Sequence, residues 1–181
     1  SHTLQDAGYL HIGMDHYVLP EDELAIALAE GRLQRNFQGY SLHMADDLLG
    51  LGVSSISQMG DFYLPNEREI DGYYKAIDAG ELPATRGCKV TTEDKLRRHI
   101  IMSLICDLKL DITECNHQFG VDFRDRFAVE LASLEPMRAD GLLDISDNEI
   151  VISRRGRPFL RNICMPFDAY LNAHQGDRPP P

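Results

Sequence analysis

Asp15 and His16 are neighbours in the chain, and an imidazole beside a carboxylate can hold or move a proton near neutral pH. They stand where a predicted strand over residues 9–19 runs into a loop bounded by Pro20, the kind of place from which barrel enzymes present catalytic groups. A hydrogen-bonded structural pair with no chemical role is the other reading, and pattern alone leaves both open. His11 and His16 invite a metal site, but a separation of five along one strand would put them on opposite faces. Cys115-Asn116-His117 has no further ligands nearby, and the four cysteines, Cys88, Cys106, Cys115 and Cys164, lack any C-x-x-C spacing. These gaps encode neither a zinc nor an iron–sulfur site, so no metal ligand is assigned.

Two further groups carry chemistry. In Phe37-Gln38-Gly39-Tyr40 the amide offers both donor and acceptor, the glycine lets backbone approach a ligand closely, and the rings can cover a flat ligand face. A buried turn would look the same. Gly50-x-Gly52 lacks the third glycine and the Gly-Lys-Ser/Thr of a phosphate loop, so the two glycines are read as allowing close packing against a cofactor or a barrel wall. Arg154, Arg155, Arg157 and Arg161 admit three readings: a DNA-binding patch, a local surface cluster paired with carboxylates, or, for Arg157 and Arg161, bidentate capture of a ligand carboxylate.

These groups need a scaffold. Glu21 to Gln34 is predicted helical, with acidic residues in its first turn, and Asn66 to Ala79 is a second helix ended by Gly80. Leu51 to Ser57 is a short run of small and β-branched residues that suits a buried strand of a parallel sheet. Alternating strand and helix over residues 1–81 predicts βαβ units, the terminal part of an incomplete barrel. After the connector Leu82 to Gly87 the pattern turns helical: Leu96, Ile100, Ile101, Leu104, Ile105 and Leu108 form an amphipathic stripe behind Thr91 and Thr92. A short helix over Ile112–Phe119 ends at Gly120; Phe123, Phe127, Leu131 and Leu134 mark another, ending near Pro136. Leu143 to Ile152 alternates about an Asp147-Asn148 tip, a β-hairpin. The expected fold class is therefore α/β, then α-rich, with a winged-helix-like, mostly helical domain over residues 82–175 and a disordered tail over 176–181.

The 181 residues carry a formal charge of -11, which opposes general attraction to nucleic acid or an anionic membrane. The predicted recognition helix, Asp122 to Met137, sets Asp122, Asp125, Glu130 and Glu135 against Arg124, Arg126 and the adjoining Arg138, so it lacks the basic face that a DNA reader needs. No apolar stretch approaches the roughly 20 residues of a membrane span and no secretory signal opens the chain. A cytoplasmic protein is expected, with neither nucleic acid nor membrane as partner.

Gly13-Met14-Asp15-His16-Tyr17, Asn36-Phe37-Gln38-Gly39-Tyr40-Ser41, the run from Asp47 to Ser57, Asp107 to Asp111, and Arg161-Asn162-Ile163-Cys164-Met165 followed by Phe167-Asp168 and Tyr170 together resemble the C-terminal half of the oxygen-independent coproporphyrinogen III oxidases, a radical S-adenosylmethionine family of haem synthesis. The resemblance runs from about Leu4 to Tyr170. Tyr17, Ser41 and Ser55 stand where Phe, Thr and Ala are common in that family, changes that abolish no donor. The resemblance implies a partial barrel followed by a helical domain, and oxidative decarboxylation of two propionates of coproporphyrinogen III to the vinyls of protoporphyrinogen IX. It implies two S-adenosylmethionines, a 4Fe-4S cluster on three cysteines upstream of this sequence, an electron donor, and a monomeric parent enzyme. Phe37, Gln38 and Ile56 match the pocket of the second S-adenosylmethionine, and Arg157 and Arg161 are candidates for the propionates. The chain is then expected to be inert alone, to supply pocket walls and a substrate-covering domain, and to be able to self-associate through exposed strand edges. A haem-binding chaperone relative and a winged-helix binding module are the alternatives.

Overall fold

The computed structural model describes residues 2–36, 39–42 and 47–173. Phe37 and Gln38, and the expected tail, lie outside the described residues. By packing, the chain divides into two compact units, one joining residues 1–42 to 96–181, the other comprising residues 43–95. This cut differs from the expected division after residue 81. Ala27 and Leu33 share one apolar core with Ile100, Leu104, Phe123 and Phe167, and that burial ties the first segment to the last.

The first unit opens with α1 (His2–Asp6), the hairpin β1 (Leu10–Gly13) and β2 (His16–Val18), α2 (Glu23–Ala29), and the pair β3 (Gln34–Arg35) and β4 (Tyr40–Ser41). The single strand expected over residues 9–19 is two antiparallel strands. They turn at Met14, whose φ of 47 lies in the left-handed region that a tight reversal needs. Asp22 caps α2 by accepting from the Leu24 amide at 2.8 Å.

In the second unit β5 (Ile56–Met59), β6 (Phe62–Pro65), α3 (Ile70–Asp78) and β7 (Cys88–Lys89) follow, with sheet order β5-β6-β7. The expected parallel sheet is not what forms. Every strand pairing among the described residues is antiparallel, because β5 and β6 are joined by the two-residue turn Gly60-Asp61, with Gly60 at φ 52, too short for a crossover. The described residues are a mixture of helices and small sheets without a closed barrel.

Beyond residue 90 come α4 (Thr92–Cys106), β8 (Lys109–Asp111), α5 (Ile112–Phe119), α6 (Phe123–Arg126), α7 (Ala128–Ala139), β9 (Leu143–Ile145), β10 (Glu149–Ile152), α8 (Leu160–Cys164) and α9 (Ala169–Ala173). Thr91 and Asp94 cap α4 reciprocally, each side chain bonded to the other's amide at 3.1 and 2.8 Å. The stripe of α4 buries Leu96, Ile100, Leu104 and Ile105. Gly120, at φ 65, ends α5 as a left-handed cap. The predicted hairpin forms with Ile150 opposite Ile145 and Ile152 opposite Leu143, and β8 adds a third strand to give the order β8-β10-β9. α7 continues past Pro136 to Ala139 rather than ending there, while the break falls at Phe127, at φ -108 and ψ 27, between α6 and α7. Phe127 is drawn into the core against Phe123 and Phe167, with ring centroids 4.9 and 5.7 Å apart.

Candidate functional site

The β1–β2 turn gathers the chemistry-bearing residues of the first unit. Asp15 and His16 form the expected pair: His16 Nδ1 lies 3.0 Å from Asp15 Oδ1. Asp15 is 83% exposed at its side chain and His16 36%. The Asp15 carboxyl sits below its usual range, chiefly through a hydrogen bond to its own backbone amide, with His16 and Arg161 adding favourable charge. His11 has a structural task. Its Nε2 lies 2.7 Å from the Met14 carbonyl, bracing the turn, and its ring stacks on Tyr17 at 4.7 Å. With two strands instead of one, the argument from opposite faces of a single strand no longer applies. No group of three or more His, Cys, Asp or Glu able to hold a metal occurs among the described residues.

Tyr40 connects this turn to the core. Its hydroxyl donates to the Ile105 carbonyl at 3.2 Å, and its ring meets His16 edge-on at 5.0 Å. A Cβ on Gly13 would lie 2.9 Å from Tyr40 Cζ and overlap the hydroxyl, so glycine is required there by contact. Gly39 acts similarly towards the imidazole: a Cβ on it would stand 3.3 Å from His16 Nε2. The close approach of backbone at Gly39 is made to the His16 ring, whereas the sequence reading places a ligand there. Burial, helped by Cys106 and opposed by Arg35, pushes the Tyr40 phenol up to about 12.

Arginines border the same hairpin. The Arg35 guanidinium lies over the Tyr40 ring, 4.9 Å from its centroid. Arg157 Nη1 donates to the His11 carbonyl at 3.3 Å. The preceding Gly156 lies against the Leu142 carbonyl, with which a Cβ there would collide. Arg161 is exposed, and its charge reaches Asp15. Arg35 Nη1 and Arg157 Nε are buried without a hydrogen-bond partner among the described residues. Cys106 and Cys164, each pushed up to about 12 by burial first, are neutral thiols and offer no nucleophile.

Ile56 belongs to the second unit, at the start of β5 and half-buried. A polar knot positions it. The buried Asn66 amide donates to the Gly50 carbonyl at 3.2 Å, the Gly52 carbonyl at 3.0 Å and Ser55 Oγ at 3.0 Å. Ser57 Oγ accepts from the Gly50 amide at 3.0 Å. A Cβ on Gly50 would come within 2.9 Å of the Ile56 carbonyl carbon, whereas one on Gly52 would meet nothing, so close packing is made by Gly50 alone, and against its own strand rather than a cofactor or barrel wall.

Of the residues singled out by sequence, Asp15, His16, Arg157 and Arg161 thus lie about one hairpin. Ile56 lies in the other unit, and Phe37 and Gln38 are outside the described residues. Arg35 and Asn66 were passed over. Arg35 directly precedes the Asn36 to Ser41 motif, which was its available signal; nothing local marks Asn66, whose acceptors lie 11 to 16 positions earlier.

Residues 90–159 match the HemN C-terminal domain family. The chain is 47% identical over 169 residues to an oxygen-independent coproporphyrinogen III oxidase of Salmonella typhimurium, covering 93% of this chain and 37% of that protein. It is 48% identical to the protein of the same name from Pseudomonas aeruginosa, covering 93% of this chain and 36% of the relative. The solved structure described as "Coproporphyrinogen III oxidase (HemN) from Escherichia coli is a Radical SAM enzyme" superposes with a TM-score of 0.89 at 45% identity, over 93% of this chain and 39% of that one. The chain therefore spans a little over a third of the length of these relatives.

Proposed function

Because this chain belongs with the oxygen-independent coproporphyrinogen III oxidases through their C-terminal part, we propose that it is the corresponding piece of a radical S-adenosylmethionine enzyme that decarboxylates two propionates of coproporphyrinogen III to vinyl groups. The observation that carries this reading is likeness in both sequence and backbone to such enzymes over 93% of the chain. In the parent, residues 1–81 continue a partial barrel and residues 82–175 form a helical, winged-helix-like domain that covers the substrate. The parent works as a cytoplasmic monomer with an electron donor.

S-adenosylmethionine, when bound and reductively cleaved, supplies the radical chemistry of this reaction. The described residues contain no ligand set for an iron–sulfur cluster, so no step is assigned to one here. For the second S-adenosylmethionine, Phe37 and Gln38 would supply a ring and an amide, and Ile56, half-buried at the start of β5, an apolar wall. Arg157 and Arg161 hold propionates, and the Asp15–His16 pair stands beside them as a group able to keep or pass a proton. The chain alone is inert in this reading.

The test is loss of coproporphyrinogen III by the full-length enzyme, reconstituted anaerobically with iron and sulfide, with Gln38 intact or replaced. Gln38→Ala is expected to lower turnover by about a hundredfold or more while cluster content is unchanged. A fully loaded enzyme that leaves coproporphyrinogen III untouched would overturn the proposal.

A further inference from the structure

We infer that Arg35 and Arg157 together form a carboxylate-binding site on the β1–β2 hairpin, with Arg35 a binding residue beyond the cofactor and propionate positions named above. Arg157 reaches β1 directly, and Arg35 borders it through Tyr40. Arg35 lies over the Tyr40 ring at 4.9 Å, and the Tyr40 hydroxyl rests on Gly13. Arg157 Nη1 donates at 3.3 Å to the carbonyl of His11, two residues earlier in β1.

Each also presents an N–H group removed from water and meeting no acceptor: Nη1 of Arg35 and Nε of Arg157. A guanidinium stays charged under all physiological conditions, so such a donor cannot escape its desolvation by losing a proton. Among the described residues, no group neutralises the pair. Asp15 is exposed and already engaged by His16, and Arg161 brings a further positive charge to it. Burial pushes the Asp107 carboxyl, near Cys106, above its usual range, and Asp107 forms no ion pair with either arginine among the described residues. Tyr40 is a neutral phenol whose hydroxyl donates to the Ile105 carbonyl and also meets the Arg35 side chain, which satisfies one guanidinium N–H and leaves the buried Nη1 without an acceptor. Neither Arg35 nor Arg157 forms an ion pair among the described residues. A planar carboxylate has the acceptors and the charge that both donors lack.

Two carboxylates are available if the proposed function holds, and the inference rests on that reading for their identity: a propionate of the tetrapyrrole and the amino-acid end of S-adenosylmethionine. Equilibrium binding separates them without requiring turnover. Coproporphyrin III, the stable oxidised tetracarboxylate, is titrated by fluorescence into full-length enzyme beside its tetramethyl ester, and S-adenosylmethionine is titrated by calorimetry. Arg35→Gln and Arg157→Gln are each expected to weaken coproporphyrin III by about tenfold or more and to leave the ester unchanged. If S-adenosylmethionine weakens instead, the site stands and its carboxylate is the cofactor's. Should a glutamine variant melt early, Arg35→Lys and Arg157→Lys decide. They keep the charge and remove the fork, so affinity is expected to fall in a protein that melts like the parent. Folded variants that bind both ligands as the parent does overturn the inference, as does a parent protein that binds neither. An enzyme that binds coproporphyrin III through these arginines yet never turns over coproporphyrinogen would sink the proposed function and leave the site standing.

Discussion

Around Phe123, Phe127 and Phe167 the protein is held by close apolar packing. Residues 47–95 are held by something else. Among the described residues, Val90 is the one buried hydrophobic side chain of this region, which also contains both of the described buried polar residues, Ser57 at 4% and Asn66 at 6% exposure. Its large apolar side chains face outward, among them Leu51 at 82% and Leu82 at 78% exposure, and Ile70, Tyr74 and Ile77 along one side of α3. Apolar burial supplies stability in proportion to area but little direction. Hydrogen bonds contribute less net free energy, about 0.5–1.5 kcal/mol each, and fix geometry closely. The first unit thus gains rigidity from its core, whereas the second specifies the shape of one loop, the one that leads into Ile56.

The sharpest way to break this contrast is in the core. Phe127→Ala removes a fully buried ring packed between two others and is expected to cost about 3–5 kcal/mol in urea unfolding. Hydrogen exchange should speed in α4, α6 and α7, while the amides of the Gly50 to Ser57 loop change little. Uniform acceleration across both units would show that one cooperative core holds everything. The complementary change is Asn66→Ala, which leaves the Gly50 and Gly52 carbonyls and Ser55 Oγ without their donor. It is expected to cost about 2–3 kcal/mol locally, seen as faster exchange at residues 50–57. A loop that keeps its exchange rates would remove the polar knot from the account.

The same contrast explains what could be read in advance. The stripe of α4, the caps at Thr91 and Gly120 and the hairpin tip at Asp147-Asn148 were legible because each depends on residues within a turn or two. Their register follows from burial: Leu143, Ile150 and Ile152 alternate inward. Pairing partners were not legible. Lys109 to Asp111 is a strand because it lies beside Glu149 to Val151, a contact no local pattern announces. The parallel-sheet reading failed for a related reason, since alternating strand and helix does not say whether a strand reverses at once, as at Met14 and Gly60. Within the candidate site, Asp15, His16 and the arginines stood out by type. Arg35 and Asn66 matter through what they meet, or fail to meet, and that is a property of the folded chain.

A smaller effect sharpens the comparison at the point where the hairpin touches the core. Gly13→Ala places a methyl group where the Tyr40 hydroxyl lies and is expected to cost about 1–2 kcal/mol through forced displacement of the ring. Its clearer signature is titration of the phenol. In the parent protein Tyr40 ionises at about 12, above the ordinary 10.0, so its contribution to stability is whole below the ordinary value and is lost as pH rises through the folded one. In Gly13→Ala the phenolate absorbance of Tyr40, isolated by difference from Tyr40→Phe, should appear at lower pH. A midpoint still at about 12 would mean that the core, and not the glycine contact, keeps this hydroxyl dry.

The smallest effect is expected at Asp15, because that carboxylate lies in water on the far side of the same turn. Its folded value is lowered, first by its own backbone amide and then by His16 and Arg161. The sign therefore opposes that of Tyr40: any stability it lends is present above the ordinary carboxylate value and fades as pH falls through the folded one. Arg161→Gln should raise the Asp15 midpoint in a carboxyl NMR titration, and added salt should move the parent protein in the same direction, since exposed charges are screened. If Arg161 acts on Asp15 only through this solvent-screened field, high salt will erase the difference between parent and variant. A difference that survives high salt would place Arg161 and Asp15 in direct contact when folded in solution, and would move Arg161 from the ligand-facing arginines to the structure of the turn.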